Sequence, residues 1–169
     1  MQLAIEEVKI RAKKLLKQLR SGQSLGWITV QRASEDWQLK HIQLLLARQL
    51  GFGDWQHAHQ ILSGAVHGDA KVDFGQLWYE RACGTLVNHW FADYQEARQT
   101  LHTLEDHCLY PFRHQFVVAA PLYAELLGLP ALTSPEWQQT NRDLVKGYGG
   151  SGWQQLTLRR ICHKLDSLG

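Results

Sequence analysis

Apolar residues in the first part of the chain recur at helical spacing. Ile5, Val8, Ala12, Leu15, Leu16 and Leu19 fall three and four apart and fill a stripe roughly 100° wide, so residues 3 to 20 are predicted to form an amphipathic helix. Lys9, Lys13, Lys17 and Arg20 share one flank of that stripe. The turn-rich run SGQSLG ends the helix, and WITVQR reads as a short strand or an extended lead-in. Ser34 and Asp36 are suited to cap a second helix carrying Trp37, Leu39, Ile42, Leu44, Leu45, Leu46 and Leu50. Its apolar positions spread around more than one face, which predicts a central buried helix. Gly51 fits the left-handed position that stops it, and Asp54 fits the N-cap of a short third helix, Trp55 to Leu62, with Trp55 in the core.

Further along, the pattern is less regular. Residues 63 to 76 are polar and contain glycine, as a linker would. Asp93 and Glu96 have capping-box spacing and open a helix through about Leu104. YPFRHQFVVAA is aromatic and β-branched and reads as one strand or buried extended stretch. PLYAELLG is a short helix ending at Gly128. Ser134 before Pro135 opens another through about Lys146. GYGGSG then reads as a flexible hinge before a last helix, Trp153 to Leu165. The predicted fold is mainly α: a helical N-terminal hairpin module (1–63), a linker (64–76) and a mainly helical C-terminal region (77–169) that can pack with it as one domain. Short strands are placed near 27–32, 76–92 and 110–118.

Composition adds exclusions. The 169 residues are 44% hydrophobic and 20% charged, a globular balance with enough chain to bury a core unaided. No apolar run reaches the roughly 18 residues of a membrane span, and MQLAIEEVKI lacks the apolar core of a secretory signal. A cytoplasmic protein is expected. Cys83, Cys108 and Cys162 are widely spaced and odd in number, which suits a reducing compartment. The net charge of +2 conceals a division: residues 1–51 carry +5, residues 52–141 carry −6 and residues 142–169 carry +3. Basic ends on an acidic middle suit an anionic partner or pairing between copies of the chain.

Two sets of residues resemble known bacterial sequences. In ARQLGFGDW, preceded by AKKLLKQLR, the positions Ala47, Arg48, Gly51, Phe52 and Trp55 resemble a short helical module found ahead of ankyrin repeats and in glyoxalase-related proteins. LVNHWFADYQEAR (86–98), YPFRHQFVV (110–118) and LGLPALTSPEW (127–137) resemble an uncharacterised bacterial family. Together these cover about three quarters of the chain. They imply a small bacterial cytoplasmic protein and no particular activity, because the paired metal-binding His and Glu of repeated βαβββ units cannot be placed on this sequence.

Candidate chemistry is sparse. The basic flank Lys9, Lys13, Lys17 and Arg20, with Arg113, makes the leading expectation a non-enzymatic binding or regulatory protein that contacts an acidic protein or nucleic acid. The bland alternative for the flank is a solvated face whose cations rim the core. A helix-turn-helix reading of residues 36–63 fails on charge, since no Lys or Arg occurs from Gln49 to Ala70. His57, His59 and His67 with Asp54 and Asp69, and His102 with Asp106 and His107, lack a metal-binding pattern such as HExxH; no metal or cofactor is expected. The alternative function is a small hydrolase-like enzyme around Cys83, His89, Arg113 and His114, with Asp93 orienting the base. GYGGSG lacks the GK[ST] ending of a phosphate loop. Seven Trp residues mean a large aromatic core, an interface, or both.

Overall fold

A computed structural model describes residues 1–66 and 72–169. The fold is mainly α with one small sheet. In chain order the elements are α1 (Leu3–Arg20), α2 (Leu39–Gln49), α3 (Trp55–Leu62), β1 (His89–Phe91), α4 (Tyr94–Thr103), β2 (Cys108–Phe112), β3 (Gln115–Ala119), α5 (Pro121–Leu126), α6 (Pro135–Thr140) and α7 (Ser151–Asp166). No described helix is long and apolar enough to cross a membrane. The main core takes residues from both sides of the 64–76 stretch, from Ala4 and Ile5 through Trp78 to Trp153 and Ile161.

Local chemistry explains several boundaries. Asp54 accepts the His57 N–H at 2.8 Å and starts α3, and Asp93 accepts the Glu96 N–H at 3.0 Å and starts α4. Gly51 (φ 89°) ends α2 as predicted. The start of α2 differs: Ser34–Asp36 form a separate 3₁₀ turn, and the helix begins after Gln38, whose N–H is accepted by His41 Nδ1 at 3.1 Å. WITVQR forms no strand. Trp27 and Ile28 pack half-buried against the core, and no neighbouring strand offers them a ladder.

The expected single strand at 110–118 is instead a hairpin. β3 is central in the order β1-β3-β2, with both pairings antiparallel and Leu109 and His89 both opposite Val118. The turn is made by Arg113 at φ 51°, a conformation the sequence does not advertise because glycine or asparagine usually supplies it. One sheet face buries Leu109 and Val118 against Ala97 and Leu101 of α4. On the other, Tyr110 and Val117 join the main core. The outer edge of β2 is closed by a parallel bridge between Leu109 and Asp143.

The most buried helix is α7, not α2. It is surrounded well enough that Gln154, Thr157 and Arg160 are buried along with Trp153, Leu156 and Ile161. Each polar group has a partner: Gln154 Oε1 accepts the Ala4 N–H at 3.2 Å, and the Thr157 hydroxyl donates to the Trp153 carbonyl at 2.6 Å. The helix predicted to run to Lys146 stops at Thr140, because Asn141 and Arg142 both turn left-handed, at φ 53° and 60°. The glycines expected to form a hinge are a packed joint. A Cβ on Gly149 would lie 3.0 Å from the Gly64 carbonyl oxygen, and the Tyr148 hydroxyl donates to the Ile61 carbonyl at 2.6 Å.

Gly128 gives a sharp stability prediction. It sits at φ 76°, and a Cβ there would lie 2.2 Å from Cγ of His163 on α7. Gly128→Ala combines backbone strain with overpacking and is expected to lower stability by about 2–4 kcal/mol. A urea denaturation midpoint within error of the wild type would contradict this account of the α5–α7 contact.

A candidate anion cleft beside an aromatic strip

A cleft of about 370 Å³ opens where three distant parts of the chain meet: the turn after α2, the segment around Gly75, and the β2–β3 turn. Backbone hydrogen bonds join them. The Gln76 N–H donates to the Gly51 carbonyl at 2.9 Å, the Arg113 N–H to the Gly75 carbonyl at 2.8 Å, and the Phe74 N–H to the Arg113 carbonyl at 3.0 Å. Glycine permits the approach. A Cβ on Gly51 would lie 2.8 Å from the Gln76 carbonyl carbon, and one on Gly75 would lie 2.7 Å from the Phe52 ring.

His57 fastens the wall. Its Nδ1 accepts the Gly53 N–H at 3.2 Å, which requires the tautomer whose Nε2–H donates to the Asp73 carbonyl at 2.7 Å. Both ring nitrogens are therefore spent on backbone, and the ring lies edge-on to Phe52 at 5.2 Å. The Asp73 carboxylate accepts the Gly75 N–H at 2.8 Å.

Two arginines face this cleft, Arg48 from the last turn of α2 and Arg113 from the hairpin tip, both exposed. Among the described residues neither has a carboxylate within ion-pair distance. The Arg113 guanidinium is fixed from two sides. With the Gln76 amide oxygen turned toward it, Nε and Nη2 donate at 3.0 and 2.5 Å, and Cζ stands 5.8 Å from the Phe112 ring centroid. Beyond Phe112 the aromatic surface continues. Trp90 meets Phe112 edge-on at 5.4 Å, Tyr79 meets Phe112 at 5.3 Å, and Trp90 is 42% exposed. A fixed cation, a second cation lining the same cleft, and one exposed ring beside two half-buried ones together suit a ligand with both a phosphate and a flat π face.

The other sequence candidates are dispersed. Lys9 is paired with Glu6 at 2.8 Å, and the Arg20 Nε donates to the Trp37 carbonyl at 2.9 Å. Lys13 and Lys17 are exposed on α1. Cys83 is fully buried, and burial pushes its thiol up, away from the reactive thiolate. His89 is exposed opposite Val118, while His114 is exposed in the β2–β3 turn, four residues along β3 and so roughly 13 Å away. Asp93 spends its carboxylate on the α4 N-cap. These residues are not brought together as a nucleophile, base and orienting acid. Trp55, expected in the core, is half-buried and lies edge-on to His59 at 6.0 Å. His67 and Asp69 lie outside the described residues; among those described, no group of three His, Cys, Asp or Glu is placed to hold a metal.

A larger groove, of about 530 Å³, runs beside α1 and α7. Five leucines and Trp27 make up half of its lining, and its charge pair, Arg11 with Asp166 at 2.7 Å, is already satisfied. Of the residues in the anion cleft, sequence reasoning named Arg113 directly and Arg48 only within the AR-GF-W pattern. Gln76 carried no local signal, and Trp90 stood out only as one tryptophan of seven. The chain matches no family model, no curated protein and no solved structure.

Proposed function

We propose that this protein is a non-enzymatic binding module for single-stranded nucleic acid. Phosphate is held between Arg48 and Arg113, and a base stacks on the Trp90–Phe112 strip. The observation that carries this reading is the continuity of the two features: Arg113 both lines the cleft and covers the Phe112 ring. Exposed Lys13 and Lys17 contribute longer-range attraction to a polyanion without reading its sequence. An acidic protein can satisfy the arginines but leaves the rings without a stacking partner. The resemblance of the AR-GF-W positions to a bacterial module supports a bacterial cytoplasmic setting, and three of those positions, Arg48, Gly51 and Phe52, line the cleft.

Fluorescence anisotropy with labelled single-stranded DNA and RNA of about 10 nucleotides, over a salt series, tests the reading. Binding is expected to weaken steeply with salt, and Trp90→Ala to weaken it by about 1–3 kcal/mol at constant salt slope. Binding of an acidic peptide but not of either oligonucleotide would replace this reading with the acidic-protein one.

A further inference from the structure

A second polar cleft, of about 360 Å³, lies between α4 and the turn that follows α6. On one wall Arg98 and His102 stand one helical turn apart on α4, above buried Leu101. Arg142 and Lys146 line the opposite wall, with Gln138. Three permanent cations thus share one concavity. Among the described residues that line it, the only acid is Asp143, which is 2% exposed. That carboxylate is already committed: Oδ1 accepts the N–H groups of Val145 and Lys146 at 2.9 and 3.0 Å, and Oδ2 accepts the Tyr94 hydroxyl at 2.5 Å. Among the described residues, none of the three cations has a carboxylate within ion-pair distance.

The wall is also held in place. Arg142, left-handed at φ 60°, passes its N–H to the Trp137 carbonyl at 3.1 Å and receives the Leu109 N–H on its own carbonyl at 2.8 Å. Its Nη1 donates to the Leu104 and His107 carbonyls at 2.9 and 2.7 Å. One edge of the guanidinium is therefore anchored to the protein, and among the described residues Nε and Nη2 have no hydrogen-bond partner. A pre-set guanidinium that lines one cleft with a second guanidinium and an ammonium is suited to a compact, multiply charged anion more than to one carboxylate.

We propose that this cleft is a separate binding site for the phosphate or diphosphate end of a small molecule, held by Arg98, Arg142 and Lys146. It uses none of the residues of the Arg48–Arg113 cleft and does not depend on nucleic-acid binding there.

The test is an amide-resolved NMR titration of the full chain with inorganic pyrophosphate, with sulfate at equal ionic strength as the comparison. Saturable shifts at residues near 98–102 and 138–146 are expected for pyrophosphate, and these, unlike any around Arg48 and Arg113, persist in Arg48→Gln/Arg113→Gln. Arg98→Gln/Lys146→Gln is expected to weaken binding at least ~10-fold, whereas Arg48→Gln/Arg113→Gln leaves it unchanged. Arg98 and Lys146 lie outside the buried core, and an unchanged urea midpoint will confirm that the variant is folded. The proposal is overturned if no saturable shift appears by ~10 mM. It is equally overturned if sulfate reproduces the pyrophosphate response in full, if the Arg98/Lys146 variant binds like the wild type, or if the Arg48/Arg113 variant abolishes the response.

Discussion

Arg160→Met is expected to destabilise the protein by about 3–5 kcal/mol, the largest effect of any single substitution considered. The side chain is fully buried in α7, yet none of its charge is idle. Nε donates to the Leu77 carbonyl at 2.7 Å, Nη1 to the Leu127 carbonyl at 3.4 Å, and Nη2 to the Tyr79 carbonyl at 3.2 Å and to Glu80 Oε1 at 2.8 Å. One residue thus ties the last helix to the 77–80 segment and to the end of α5. Methionine roughly fills the volume but leaves three carbonyls without their donor and the Glu80 carboxylate with Lys164 alone. Replacing an ion pair by two apolar residues is often harmless when only the pair is involved. Here Arg160→Met/Glu80→Leu should recover little, because the carbonyls stay unpaired. Urea denaturation of the two variants decides it: full recovery in the double variant would mean that the carbonyl bonds contribute nothing.

The same clamp sets an acid dependence. Partial burial raises the Glu80 carboxyl, but the hydrogen bond and charge of Arg160, with Lys164 at 3.3 Å, outweigh it and hold the pKa below the ordinary 4.5. The unfolded chain therefore takes up this proton at higher pH than the folded one. The stabilisation is full above 4.5 and is lost as pH falls through the folded value. Between pH 4.5 and that folded value the stability of Glu80→Gln is expected to fall less steeply than that of the wild type, and parallel acid limbs there would contradict the assignment.

The second large effect concerns binding. Arg48→Gln/Arg113→Gln is expected to weaken single-stranded oligonucleotide binding by about 2–4 kcal/mol, roughly 30- to 1,000-fold. It should also reduce the salt slope by about 1 to 2. Arg113 contributes more of this, because Gln76 and Phe112 hold its guanidinium in place and little freedom is lost when a phosphate arrives. Both residues are exposed, so the fold is retained. Lys13→Gln/Lys17→Gln is expected to lower the salt slope by a similar amount while leaving tryptophan quenching at saturation unchanged, since those lysines touch no ring. Equal losses of quenching in the two variants would put the nucleic acid on α1.

What was legible in the sequence was local. Asp54 and Asp93 act within one helical turn of their own positions, and Gly51 and Gly128 end their helices locally, so these roles follow from residue type and spacing; the room the two glycines leave for Gln76 and His163 does not. Arg113 marks the limit of this kind of reading. Its left-handed turn converts one apolar run into a hairpin, and arginine has no signature for that conformation. The centrality of α7 was hidden because its buried side carries Gln154, Thr157 and Arg160, polar residues that looked like surface until their partners were known.

The charge partition was similarly ambiguous. Part of the C-terminal excess is Arg160, buried as a clamp, and Lys9 in the first helix is paired with Glu6. The anion cleft depends on bonds from Gly51 to Gln76 and from Gly75 to Arg113, contacts between segments that no spacing rule connects.

Ultraviolet cross-linking of a short single-stranded oligonucleotide, with mass-spectrometric identification of the attached residues, tests the binding reading most directly. Cross-links are expected on Trp90 and on Phe112 or Tyr79, and should disappear in Arg48→Gln/Arg113→Gln. Cross-links confined to α1 or to Trp27, or an unchanged pattern in that variant, would contradict it.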